Sequence, residues 1–218
     1  MKYLLILLLV SSAYAGPFDT LRKTTVRINV GSGSIVKAKS GRLYIITNAH
    51  VCAAGSVNGY LQGSLPTGES FLGPIVKQNV STDLCAAKVF KKTPYIDIAP
   101  LFKKKERLYS RGYPSGVVSE TEGNYVGDEA WSYPVQPLAP CPPGSETLGA
   151  AKHPHGCLIH FNTAVTNLFS QPGSSGSPVV NEDGELVGVI SSWLDNGIDP
   201  NRGGMVRYSD VKAFLEAL

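Results

Sequence analysis

The apolar residues of this chain come in short runs separated by glycine, proline, serine and asparagine. Its 218 residues include 23 glycines and 15 prolines, and turn residues at this spacing are typical of an all-β chain. Alternating or continuous apolar patterns predict strands at 24–35, 43–47, 70–78, 84–90, 123–126, 157–163, 177–180 and 186–192. One helix is predicted over 210–218, with Ser209 placed to cap it.

Composition and charge exclude several classes of protein. A hydrophobic content of 43% is ordinary for a packed globular chain, so disorder and collagen-like structure are not expected. The formal net charge of +3 is too small to indicate a nucleic-acid or membrane-surface protein. A charged stretch without periodicity divides two β halves, which predicts domains at 16–98 and 109–208, a linker at 99–108 and a terminal helix at 209–218.

The first fifteen residues have the pattern of a signal peptide. Lys2 precedes an apolar run from Tyr3 to Val10, and the small residues that follow end at Ala15. The apolar run is too short to span a bilayer, which takes about 20 residues. We therefore expect cleavage after Ala15, export to a periplasm or to the outside of the cell, and no stable membrane anchor afterwards.

Four cysteines stand at positions 52, 85, 141 and 157. Disulfide bonds persist in exported proteins, and an even number of cysteines favours them. Three pairings are possible from the count alone, and the sequence pattern by itself does not choose among them.

Three segments carry residues suited to nucleophilic catalysis. Ser175 lies in Gly-Ser-Ser-Gly-Ser-Pro at 173–178, where glycines allow a sharp turn and close approach of backbone N–H groups to a carbonyl. His50 follows an apolar strand, and a neutral imidazole is the natural base near neutral pH. Asp83 stands at the start of another apolar strand, where its carboxylate can orient an imidazole. Each signal alone is weak, but together they occur in the order His, Asp, Ser at predicted strand edges.

The segments TNAHV at 47–51, TDLCAAKV at 82–89 and GSSGSPVV at 173–180 resemble the three catalytic segments of trypsin-like serine peptidases. The chain is most similar to bacterial members related to HtrA-type proteases and glutamyl endopeptidases. Further similarity at 31–33, 112–116 and 183–190 extends the resemblance over most of 24–208. It implies two six-stranded antiparallel β-barrels of the chymotrypsin-like fold, with the active site between them and a short C-terminal helix.

The resemblance also implies roles. Ser175 would attack the scissile carbonyl of a protein or peptide substrate, His50 would move the proton, and Asp83 would orient His50. The N–H groups of Gly173 and Ser175 would form the oxyanion hole, and neither a metal nor another cofactor is implied. Ser174 stands where trypsin has the aspartate that pairs with its new N-terminus, so activation by that ion pair is not expected.

By the same resemblance, the specificity pocket has apolar and small residues. Its predicted members are Phe169, Ser170, Ile190, Ser191, Ser192, Trp193 and Gly204. Phe169 stands where trypsin has an aspartate, and Ile190 stands where glutamyl endopeptidases have a histidine. A preference for small or apolar side chains follows. The implied disulfide pairs are Cys52 with Cys85 and Cys141 with Cys157.

Two alternatives remain open at the level of sequence. His153, His155, Cys157 and His160 lie within eight positions, and such ligands can bind zinc. Their spacing fits no structural zinc motif, however, and an exported chain favours disulfides. The second alternative is a protease-like binding protein without catalysis, because function belongs to sites rather than to folds. The oligomeric state is not indicated by the sequence.

Overall fold

The computed structural model describes residues 16–135, 146–147, 157–193 and 202–218. The predicted signal peptide, Cys141, His153 and His155 lie outside these ranges, so the cleavage site and the alternative zinc site stay predictions. None of the helices in the described ranges is long and apolar enough to cross a membrane.

The first half of the chain forms a closed antiparallel barrel. Its strands are β1 (Thr25–Ile28), β2 (Gly31–Lys37), β3 (Leu43–Thr47), β4 (Ser56–Val57), β5 (Tyr60–Ser64), β6 (Ser70–Asn79) and β7 (Leu84–Lys88). Six of them follow the order β1-β2-β3-β7-β6-β5, and pairing of β1 with β5 closes the barrel. The short strand β4 pairs with β5 outside that ring.

The second half repeats this architecture. Its strands are β8 (Arg107–Gly112), β9 (Ser119–Val135), β10 (Glu146–Thr147), β11 (Cys157–Thr166), β12 (Pro178–Val180), β13 (Leu186–Trp193) and β14 (Gly203–Val206). The order β9-β8-β12-β13-β14-β11 is closed by pairing of β11 with β9, and β10 is attached to β11. The predicted all-β class with two six-stranded barrels is confirmed.

Three α-helices in the described ranges accompany the barrels, whereas the sequence pattern predicted one. They are α1 (Pro17–Thr24), α2 (Ala49–Gly55) and α3 (Tyr208–Glu216). The C-terminal helix is present, but its N-cap is Arg207 and no side chain caps it, so the capping role predicted for Ser209 is wrong. Helices α1 and α2 have only eight and seven residues, which is too short for a periodic pattern to stand out.

Alternate residues of one strand belong to different cores. On β3, Ile45 packs inside the first barrel, while Ile46 packs in a separate cluster that contains Val189 of the second barrel and Phe214 of α3. Both side chains are fully buried, and burial of an isoleucine stabilises a fold by about 1.5–3 kcal/mol. The continuous apolar run at 43–47 therefore serves two cores, and the second of them fixes the barrels against each other.

The chain that crosses between the barrels is attached to both. Ile96 donates its N–H to Ile35 in β2 (2.9 Å), and Ala99 donates its N–H to Leu186 in β13 (3.0 Å). Residues 99–106, most of the predicted linker, carry no strand or helix, and β8 begins at Arg107.

Helix α1 is fastened to the second barrel by a shared carboxylate. Arg22 donates from Nε and Nη2 to the two oxygens of Glu120 (2.9 and 2.8 Å), and Arg111 also pairs with this carboxylate. The hydrogen bond from Arg22 lowers the pKa of Glu120 below its ordinary value, and this effect outweighs the opposing effect of burial. Phe18 of the same helix packs edge-on against Tyr109, with ring centroids 5.3 Å apart.

Candidate active site

His50 lies in the first turn of α2, directly after strand β3. The strand ends at Thr47, and Asn48 has an extended backbone that redirects the chain into the helix. The amide nitrogen of the Asn48 side chain donates to the carbonyl of Asp83 (3.0 Å). His50 was predicted at the end of a strand, and it lies just beyond that end, in the helix that follows. The side chain of Asn48 connects this junction to the turn that contains Asp83.

Asp83 lies in the turn between β6 and β7 and has a left-handed backbone, with a φ of 53°. Aspartate tolerates this conformation better than most residues. Its carboxylate oxygens lie 3.0 and 2.9 Å from His50 Nδ1, and the backbone N–H of His50 donates to the same carboxylate (3.1 Å). Because a carboxylate accepts, this contact favours a proton on Nδ1 and leaves Nε2 with its lone pair in the neutral ring.

Ser191 supplies a third donor to this carboxylate. Its Oγ donates to Asp83 Oδ2 (2.9 Å), across a sequence separation of 108 residues. The side chain of Ser191, predicted to belong to the specificity pocket, therefore holds the carboxylate from the second barrel. With three donors, Asp83 is fixed in position against His50.

A disulfide joins Cys52 on α2 to Cys85 on β7, with the two Cα atoms 6.4 Å apart. The cysteines lie two positions after His50 and Asp83, so the bridge ties the helix of the imidazole to the strand beside the carboxylate. For the 33-residue separation, the chain-entropy model gives about 4 kcal/mol of stabilisation. The second predicted pair includes Cys141, which lies outside the described residues.

The loop that carries Ser175 is pressed against the first barrel. The N–H of Ser32 on β2 donates to the carbonyl of Ser175 (2.8 Å), while the N–H of Gly176 donates to Ile190 on β13 (2.8 Å). Gly173 and Gly176 have φ angles of 95° and 88°, which glycine adopts without strain. The two glycines thus let the loop turn sharply while it bonds to both barrels.

Gly31 allows Ser175 and the His50 helix to approach each other. A Cβ atom at Gly31 would lie 2.9 Å from the Ser175 carbonyl oxygen and 3.0 Å from a methyl group of Val51, the residue after His50. Ser175 itself is partly exposed. The fold therefore gathers His50, Asp83 and Ser175 at the junction of the barrels.

Two amides of the Ser175 loop, those of Gly173 and Ser175, make no hydrogen bond in the described part of the chain. The carbonyl of Pro172 accepts the N–H of Ser115 (2.8 Å). In a planar trans peptide the N–H points opposite to the C=O, so the Gly173 N–H is directed away from Ser115.

The predicted pocket residues occupy β13, β14 and the approach to the nucleophile loop. Phe169 is half-buried and donates its N–H to Thr121 Oγ1 (3.1 Å). Ser170 is buried beside Gly203, where an added Cβ would lie 3.0 Å from the Ser170 Cβ. Ile190 is only 2% exposed and packs in the core of the second barrel. The remaining predicted residues lie where β13 pairs with β14. Ser192 is paired with Gly204, and Trp193 is paired with Gly203.

Comparison with known proteins identifies the family and the fold. The family model for the trypsin-like peptidase domain matches residues 31–189, so the chain belongs to that family. It thus carries a domain of the serine protease class of hydrolases. It is 28% identical over 197 residues to the serine protease Do-like HtrA of Bacillus subtilis. The aligned region covers 86% of this chain and 39% of that relative.

A second relative, the serine protease Do-like HtrA of Lactococcus lactis subsp. lactis, is 25% identical over 164 residues and covers 75% of this chain and 37% of the relative. The chain thus spans about two fifths of the length of these curated relatives. Solved structures with the same fold include the Rv3671c protease from M. tuberculosis in its active form, with a TM-score of 0.68, 18% identity and coverage of 90% and 81% of the two chains. The HtrA-type protease AlgW with tripeptide matches with a TM-score of 0.65, 17% identity and coverage of 94% and 64%.

Proposed function

We propose that this chain is an exported serine endopeptidase in which Ser175 is the nucleophile, His50 the general base and Asp83 the group that orients His50. The observation that carries the proposal is the Asp83 carboxylate 2.9 Å from His50 Nδ1. That contact lies at the junction where the Ser175 loop bonds to the first barrel. In the neutral ring, the proton on Nδ1 leaves Nε2 as the nitrogen that accepts the proton of Ser175.

In the proposed acylation, Ser175 Oγ attacks the substrate carbonyl carbon and its proton passes to His50 Nε2. The tetrahedral intermediate collapses when His50 returns that proton to the amide nitrogen and the C–N bond breaks. The amine product leaves, and the acyl group remains as an ester on Ser175. Asp83 stays ionised and stabilises the imidazolium that forms in between.

Deacylation repeats these steps with water. His50 takes one proton from the water as its oxygen attacks the ester carbon, and then returns the proton to Ser175 Oγ as the ester bond breaks. In both acylation and deacylation the developing oxyanion would accept hydrogen bonds from the N–H groups of Gly173 and Ser175. One such donor accounts for about 3–4 kcal/mol of transition-state stabilisation in a comparable site.

Ser174 supports a nucleophile loop that forms without an ion pair to a freed N-terminus. Its N–H donates to the carbonyl of Gln171 (2.8 Å), and its Oγ accepts the N–H of Gln171 (3.1 Å). The side chain thus closes the turn before the nucleophile by local bonds. An ion pair to a freed terminal amine is not needed for that turn.

We also propose a preference for small or apolar residues on the N-terminal side of the cleaved bond. Phe169 is apolar and half-buried, Ser170 and Ile190 are buried, and none of the three is a charge partner for Arg, Lys or Glu. A peptide library incubated with the enzyme should show cleavage after residues such as Ala, Val or Leu, with mass spectrometry of the products as the measurement. Dominant cleavage after Arg, Lys or Glu would refute this preference.

The proposed chemistry is tested with a fluorophosphonate probe, which reacts with activated serines. The wild-type chain should be labelled on the peptide that contains Ser175, and Ser175→Ala should abolish the label. Ser209→Ala, an exposed serine on α3, is the control and should label like wild type. Urea unfolding of all three proteins shows that they are folded, and a folded but unlabelled wild type would indicate the binding protein without catalysis.

A further inference from the structure

The hydroxyl of Ser32 joins the first barrel to the loop that carries the Gly173 amide. Ser32 lies on β2 and is fully buried. Its Oγ donates to the carbonyl of Gly173 (2.8 Å) and accepts the N–H of Tyr113 (2.9 Å). One hydroxyl thus connects a strand of the first barrel to two separate segments of the second.

The main chain of the same residue holds the other side of the loop. The Ser32 N–H donates to the carbonyl of Ser175 (2.8 Å), and the Ser32 carbonyl accepts the hydroxyl of Thr47 (2.7 Å). Residue 32 therefore fixes the carbonyls of both Gly173 and Ser175, on either side of Ser174. The N–H groups of Gly173 and Ser175 are the two proposed to bind the oxyanion.

These contacts fix the direction of the Gly173 N–H. The Gly173 N–H belongs to the peptide group between Pro172 and Gly173, whose carbonyl accepts a hydrogen bond from the Ser115 N–H. The next peptide group, between Gly173 and Ser174, is held by the hydrogen bond from Ser32 Oγ to the Gly173 carbonyl. Both peptide planes around the Gly173 Cα are therefore fixed, at a φ of 95°. Glycine has access to many other backbone conformations, so release of one plane would let the N–H turn away.

We propose that Ser32 is a positioning residue for catalysis, and that its hydroxyl keeps the Gly173 N–H aimed at the oxyanion. This inference rests on the proposed peptidase function. Serine suits the task because its hydroxyl donates and accepts at once, whereas alanine would leave both the Gly173 carbonyl and the Tyr113 N–H without this partner. Since Ser32 belongs to the first barrel, it also couples the position of that barrel to the geometry of the loop.

The test compares Ser32→Ala with Ser34→Ala. Ser34 lies two positions along the same strand and is equally buried, but its hydroxyl has no hydrogen-bond partner in the described part of the chain. Because small misplacements in an active site lower rates by about 10²-fold, Ser32→Ala should lower kcat about 10-fold to 100-fold with KM nearly unchanged. Its affinity for a peptide aldehyde, whose adduct with Ser175 has an oxyanion, should fall by a similar factor. Ser34→Ala should match wild type in both measurements.

A second pair of variants separates the hydroxyl from packing. Ser32→Thr and Ser32→Val have nearly the same shape, and only threonine keeps the hydroxyl, so any crowding is common to both. Threonine should retain at least tenfold more kcat than valine. Equal kcat in this pair, or unchanged aldehyde affinity in Ser32→Ala, would overturn the inference even if the probe labels Ser175. An unlabelled, inactive wild type would overturn the proposed function and this inference together.

Discussion

Replacing Asp83 with asparagine is expected to lower kcat by about 10⁴-fold while the fold stays intact, as the same change does in the Ser-His-Asp template. The carboxylate lies 3.0 and 2.9 Å from His50 Nδ1 and accepts Ser191 Oγ at 2.9 Å. Asparagine has nearly the same shape, but its amide nitrogen donates and carries no charge. It would favour the imidazole tautomer with the proton on Nε2, which cannot accept the proton of Ser175, and it would not stabilise the imidazolium.

The measurement is kcat on a cleavable peptide, with urea unfolding to confirm that the variant is folded. Asp97→Asn is the matched control, because Asp97 is an exposed carboxylate that lies 3.7 Å from Lys37 and has no part in the proposed triad. We expect that control to keep wild-type kcat. If Asp83→Asn retained kcat within tenfold of wild type, the orienting role of Asp83 would be wrong.

The sequence pattern was sufficient where a signal is local. Short apolar runs between turn residues predicted most of the long strands, and the resemblance of three segments predicted the two barrels. Strand β3 was the clearest case, since Leu43–Thr47 is apolar on both faces and is buried on both. The strands that were missed, such as β5 (Tyr60–Ser64) and β14 (Gly203–Val206), have glycines or few apolar residues and depend on their neighbours for pairing.

The parts of the site that sequence reasoning missed depend on contacts between distant residues. Ser32 and Gly173 are 141 residues apart, and Ser191 and Asp83 are 108 apart. A serine in a strand gives no sign of its partner, because Ser34 of the same strand is buried without one in the described part of the chain. Ser32 lies between Gly31 and Gly33 in the predicted strand at 24–35, and a polar residue in that setting is the local signal that could have pointed to it.

Replacing Gly176 with alanine is expected to lower the free energy of unfolding by about 3–5 kcal/mol, because a left-handed backbone and overpacking each cost a non-glycine residue about 1–3 kcal/mol or more. Gly176 has a φ of 88° and is buried. An added Cβ would overlap the carbonyl oxygen of Ser32 and the hydroxyl oxygen of Thr47. These atoms belong to strands of the first barrel, so the loop would have to move away and carry Ser175 with it.

Gly68→Ala separates the two contributions. Gly68 has nearly the same φ, 86°, but no atom lies within 4 Å of an added Cβ, so only the backbone strain applies, about 1–2 kcal/mol. Urea unfolding of both variants, with kcat on a peptide substrate, gives the comparison. A larger loss of unfolding free energy for Gly176→Ala, together with loss of kcat, would show that contact with the first barrel leaves no room for a side chain at position 176. Equal losses of stability would mean that the loop can relax, and the close contact of Gly176 with Ser32 would then not be what holds Ser175 in place.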